Sequence, residues 1–154
     1  MSLLKALQFI QLFSYLLVNC QLLFYLVVFA DALKATPISN FLIHRQVVDG
    51  VMRKRYHIVY YSCLALSFVL VIVAALQNDP VKLGSSLIAL FCLIVDLIII
   101  VKVNVPLNNQ VNTYRDGEDL SRWEIIRDKW LLYFRYRGIV STIGMVSLVI
   151  GLMV

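Results

Sequence analysis

Four nearly uninterrupted apolar runs, at about 7–30, 57–76, 81–101 and 138–154, decide what this chain can become. As helices rising 1.5 Å per residue, each comes close to spanning a hydrocarbon core of about 30 Å. Inside lipid, backbone N–H and C=O groups must pair with one another, which leaves helices or a closed barrel. The runs are far longer than barrel strands and lack their two-residue alternation, so helices are expected. Composition agrees: 15% of residues are charged, where a soluble domain carries about a quarter, and mean hydropathy is +0.84. The expected fold is an all-α integral membrane four-helix bundle, with 1–154 forming one domain. The first run is too long for the core of a cleavable signal and is read as the first span. Cys20, Cys63 and Cys92 all fall inside apolar runs with no CxxC spacing, the behaviour of small buried hydrophobes.

Orientation follows from the lysines and arginines. All but Lys5 and Lys82 lie in the first and third connections or at their edges. The positive-inside bias then places both long connections in the cytoplasm and both termini outside it, in a cell inner or plasma membrane. Two short cytoplasmic surface helices are expected, one before the second span and one before the fourth. The first, 40–56, opens after Thr36-Pro37 and carries Arg45, Asp49 and Arg53 at helical spacing, with Phe41, Val48 and Met52 on the opposite face. It reads either as a helix lying on the surface or as an extension of the second span. Its Arg53-Lys54-Arg55 end forms a basic collar suited to lipid headgroups. The second opens at Ser121-Arg122-Trp123-Glu124, a capping-box pattern.

Polar residues inside the runs are the candidates for chemistry. Gln8, Gln11, Tyr15 and Asn19 share one helical face, as residues bonding to neighbouring helices would, whereas Gln21 points elsewhere. Asp96 is the one ionisable residue well inside a span, about 9 Å below Lys102. An unpaired charge at that depth costs about 3 kcal/mol or more, so a partner is expected. Arg137, at the entrance of the fourth span, is the preferred one, with Tyr60 or Tyr61 as further donors. Asn104 and Asn108 flank Pro106 on one face where the third span ends, and Pro106 lacks the N–H a regular helix needs. Trp123, Ile126, Trp130, Tyr133 and Arg137 form a stripe leading into the fourth span. Taken singly, such aromatics are also what an interfacial belt contains.

The pattern NVPLNNQV after a span, a charged turn, then Arg127, Trp130 and Arg137 entering the last span resembles the anthrone-oxygenase-like family of small four-helix membrane proteins. The resemblance covers the topology, and its specific motifs rest on Asn104, Pro106, Asn108, Trp130 and Arg137. It implies cofactor-independent oxidation of an aromatic ketone, with Arg137 stabilising an enolate-like anion and tryptophans stacking on the ring. The interval between Trp130 and Arg137 departs from the family pattern, with Phe134 and Arg135 where a polar Asn or His is often found.

Two functions stay open on these grounds. One is a pocket at the cytoplasmic leaflet, lined by Asn104, Asn108, Trp123, Trp130, Arg137 and Asp96, holding a lipophilic aromatic, quinone-like or lipid molecule. Arg137 and Asp96 are its candidate catalytic groups. The other is an accessory subunit docking a larger membrane complex through its aromatic and arginine side chains. Membrane lipid is an expected partner in either case. No cofactor or metal is expected: His44 and His57 do not face each other within spans, and no Glu-x-x-His pair occurs. A phosphate loop and a catalytic triad are absent, and the positive charge is accounted for by topology rather than by nucleic acid.

Overall fold

A computed structural model describes residues 3–154 of the chain. It contains four long helices, α1 (Leu3–Ala35), α2 (Ile38–Leu76), α3 (Pro80–Val111) and α4 (Ser121–Met153), each long and apolar enough to cross a membrane. Short connections force neighbours to run antiparallel, giving an up-down-up-down bundle. α1 and α3 each pack against both α2 and α4, and the most extensive interface is between α3 and α4. Pro37 precedes α2 without an N–H to continue α1. Between α2 and α3 the chain turns through Asn78, held at φ +53, a conformation asparagine tolerates. Asp79 then accepts the Lys82 N–H at 3.1 Å, and Pro80 occupies the first turn of α3.

The two short surface helices do not exist as separate elements. Residues 40–56 continue without a break into the 39-residue α2, and 121–137 continue into α4. At 1.5 Å per residue α2 is about 58 Å long, roughly twice the hydrocarbon thickness. The reason is packing. Phe41, Leu42, Arg45 and Asp49 all lie on the inner face of α2 and are buried, so this segment has a bundle to join and no reason to lie flat. Phe41 therefore shares a face with Arg45 and Asp49 rather than opposing them. The start of α4 also differs in detail: no side chain caps it. Ser121 instead gives its N–H and its hydroxyl to Asp119, which holds that carboxyl below its usual pKa.

The bundle thus has two storeys. In the apolar-run storey, α4 presents Gly138, Ser141, Gly144, Ser147 and Gly151 inward, and these small residues let α1 and α3 approach closely. A Cβ added at Gly144 would lie 2.7 Å from Tyr15 Cζ and 2.9 Å from Cys92 Cβ. The polar face of α1 bonds across this storey as its spacing implied. Gln8 Nε2 donates to Gly151 O at 3.1 Å, Gln11 Nε2 to Ser67 Oγ at 2.5 Å, and Tyr15 Oη to Ala89 O at 3.4 Å. The other storey has an aromatic core that includes Tyr25, Phe41, Tyr114, Trp123, Trp130 and Phe134. In α1 and α3 the storeys meet at one π-helical turn each, Tyr25–Phe29 and Ile100–Asn104. The second lies just before Pro106. The Val105 N–H reaches back five residues to Ile100 O, so the helix passes the proline without ending.

Candidate functional site

Where the storeys meet, α2, α3 and α4 enclose a cavity of about 270 Å³, with Gln21 of α1 also on its wall. Exposed His57, Tyr61 and Val105 stand at its rim, so it opens on the outer surface between α2 and α3. Asn104, Asn108, Phe134 and Arg137 line it from α3 and α4; Arg45, Asp49, Arg53, Tyr56 and Tyr60 line it from α2.

Arg137 is held in place by Asp96, which is 0% exposed. Nε donates to Oδ1 at 2.6 Å and Nη2 reaches Oδ2 at 3.4 Å, a two-pronged pairing that fixes the plane of the guanidinium. Its Cζ also lies 4.8 Å from the centre of the Phe134 ring. Asp96 therefore faces the bundle interior, paired with the residue its depth called for. The Tyr60 hydroxyl donates to Leu93 O at 2.8 Å and also lies beside the Asp96 carboxylate, whereas Tyr61 is exposed.

Asn108 is the hub of a second network. Its Nδ2 donates to Asp49 Oδ1 at 2.9 Å, while its Oδ1 accepts from Trp130 Nε1 at 2.9 Å and Arg45 Nη2 at 3.2 Å. Asp49 Oδ2 accepts from Asn112 Nδ2 at 2.8 Å and from Arg53 Nε at 2.7 Å. Arg45 lies 3.8 Å from the Asp49 carboxylate and 4.6 Å above the Trp130 ring. Trp130, 0% exposed, stacks on Phe134 with centroids 4.2 Å apart. It supports the cavity from behind, by orienting Asn108 and seating Arg45, while Phe134, packed between Trp130 and the Arg137 guanidinium, lines the cavity in its place. Trp123 stands apart, edge-on to Tyr114 and donating to Glu118 Oε2 at 3.2 Å.

Asn104 differs from all of these. It is 3% exposed and lines the cavity, yet neither its Nδ2 nor its Oδ1 has a partner among the described residues. Arg45 Nε is unpartnered as well, although the guanidinium as a whole also meets the Tyr25 hydroxyl. A buried polar group left unpaired costs about 1–3 kcal/mol.

Of the sequence candidates, Asn104, Asn108 and Arg137 converge on this concavity, Asp96 and Trp130 stand directly behind it, and Trp123 lies elsewhere. Tyr133 is only half buried, its neighbour Phe134 taking the inner place. Arg45, Asp49, Tyr56 and Gln21 were not anticipated as wall residues. For the α2 residues the signal was present. Counting back from Tyr60 by threes and fours along the inner face gives Tyr56, Met52, Asp49, Arg45 and Phe41. Among the described residues no group of three or more His, Cys, Asp or Glu is placed to hold a metal ion. No family model, curated protein or solved structure matches this chain.

Proposed function

We propose that this multi-pass membrane protein binds a lipophilic molecule with a polar head in the cavity at the junction of its two storeys. The observation that carries the reading is the convergence of Asn104, Asn108 and Arg137 on one concavity that opens sideways beside the apolar run of α2. A molecule entering there keeps its apolar body among lipid-facing side chains while its head meets fixed donors. Arg137 is oriented by Asp96 and Asn108 by Trp130, so these donors need little rearrangement to engage a ligand. The resemblance to anthrone-oxygenase-like proteins adds a chemistry: cofactor-independent oxidation of an aromatic ketone by dioxygen, with the guanidinium of Arg137 holding the enolate-like anion. In this reading the charged connections face the cytoplasm and both termini lie on the other side, in an inner or plasma membrane.

Native mass spectrometry of the gently solubilised protein tests the proposal. A retained small molecule is expected. It should be lost in Arg137→Lys, which keeps a cation beside Asp96 but removes the planar fork of donors. Retention unchanged in that variant would remove Arg137 from the site. One observation favours a second reading, an accessory subunit of a larger complex. Ile43, Val47 and Val51 form an exposed apolar stripe on α2 beyond the basic collar. A stoichiometric protein partner in the same spectra would support that reading instead.

A further inference from the structure

Buried amide and guanidinium groups are paired in nearly every folded protein. Among the described residues, three atoms of cavity-lining side chains lack partners: Asn104 Nδ2, Asn104 Oδ1 and Arg45 Nε. Gln8 Oε1, Gln11 Oε1 and Ser141 Oγ lack them in the other storey, but Asn104 is unpaired at both ends of its amide and borders open space, which points to a molecule that supplies its partners. Charge narrows its kind. Asp96 neutralises Arg137 from behind, whereas Asp49 is shared between Arg45 and Arg53. Three arginines thus face two aspartates, and one positive charge is left uncompensated. Two of the three cavity atoms are donors, one of them on a cation. The third, Asn104 Oδ1, is an acceptor and needs an O–H or N–H.

Size narrows it further. At about 270 Å³ the cavity lies at the small end of the range of about 300–1,000 Å³ that ligand pockets span. That accommodates a head with its first few carbons, or a single ring, and not two acyl chains. Tyr61 and Val105 are both exposed and both on the rim, so whatever does not fit leaves between α2 and α3 toward lipid.

We infer that the cavity takes a singly negative amphiphile, its head an oxyanion beside a hydroxyl or N–H. The oxyanion accepts from Arg45 Nε, Arg137 and the Asn104 amide, and the neighbouring donor bonds Asn104 Oδ1. The inference rests on the pocket reading above and adds the charge and hydrogen-bonding pattern of the head. A cationic head would meet three arginines, and an ester would leave the extra positive charge without a counter-charge. A chain acid and a ring acid share this head chemistry.

The test uses the full chain in nanodiscs of phosphatidylcholine, with Trp123→Phe so that Trp130, packed beneath Arg45, is the sole tryptophan reporter. The probes are 2-hydroxydodecanoate, its methyl ester and dodecyltrimethylammonium; 2-hydroxybenzoate and its methyl ester compete with them. Comparing each variant with its parent cancels the probe's own partition into the bilayer. The acids should bind at least about tenfold tighter than their esters, the cation should give no response, and the preference should vanish in Asn104→Leu and in Arg45→Met. Both variants keep the Asp96–Arg137 pair, and Asp49 keeps Arg53, Asn108 and Asn112, so their melting transitions report folding separately. Either acid outrunning its own ester supports the assignment, and the tighter acid identifies the body as chain or ring. Equal binding of acid and ester, or a preference that survives both substitutions, overturns the head assignment and leaves the pocket standing. No binding by any probe, with no adduct in native spectra, overturns the pocket as well.

Discussion

Replacing Asn104 by leucine distinguishes a ligand-binding residue from one that holds the fold together, because the two roles predict opposite signs. Leucine is close to asparagine in size and fits a buried helical position. In the ligand-free protein the substitution removes a buried donor and a buried acceptor, neither of which has a partner among the described residues. Relieving that desolvation is worth about 1–3 kcal/mol, and the better helix propensity of leucine adds roughly 0.5 kcal/mol. For a chain of this size each kcal/mol moves the melting temperature by about 2–4 °C. A rise of about 4–10 °C in delipidated protein is therefore expected, followed by circular dichroism or intrinsic fluorescence. The same variant should lose any stabilisation by added amphiphile. Asn108→Leu is the counterpart with the reverse sign. It strips partners from Trp130, Arg45 and Asp49 together and should cost about 3 kcal/mol. A lower melting temperature for Asn104→Leu, in protein shown by mass to carry no adduct, would refute the argument that this amide is held unsatisfied for a ligand.

Arg137→Ala leaves Asp96 buried without its partner and should destabilise by about 3–5 kcal/mol, whereas the double variant Asp96→Leu, Arg137→Met should recover most of that loss in thermal melts. Equal melting of the single and double variants would show that the pair is not coupled. Gly144→Ala pushes a methyl group into the wall made by Tyr15 and Cys92; an overpacking cost of about 1–3 kcal/mol is expected, with cavity binding retained. Lys82, bonded to the Asp79 carboxylate through its side chain and backbone, holds that pKa below the ordinary value. A depressed carboxylate contributes stability that is complete above its unfolded pKa of about 3.9 and is lost as pH falls through the lower folded value. Amide protection at the start of α3, taken relative to the intrinsic exchange rate at each pH, should therefore fall only below about pH 4 in the parent, and Asp79→Asn should abolish that dependence.

The membrane storey was legible because lipid leaves few choices. A lone carboxylate at bilayer depth requires a counter-charge, and Arg137 was the one cation within reach. Amides repeating every three or four residues on α1 had to bond neighbouring helices. The other storey was harder to read. Charges at i, i+4 on 40–56 look alike whether they face water or a bundle, and local spacing alone favoured water. What settles the matter is the register of the whole helix, which carries the inner face of the span back through Asp49 and Arg45. The tryptophans were misjudged for a related reason: sequence spacing shows that Trp130 faces inward but not that Phe134 comes between it and the cavity. The cavity is closed by α2, whose outer part the spacing left open between a surface helix and an extension of the second span, and which is the extension.

The wide turn at Ile100–Asn104 adds a residue to one helical repeat, and it stands between the half of α3 that lies in lipid and the half that carries Asn108 and Asn112. Each residue of a helix advances its face by about 100°. Deleting a single residue from within this turn would return it to the ordinary repeat and leave Asn108 and Asn112 on nearly the face they hold now, whereas a deletion between the turn and Asn108 would swing both away from Asp49 while the lipid half stays seated. The wide turn thus works as a register buffer that absorbs one residue of length change between the two halves of α3.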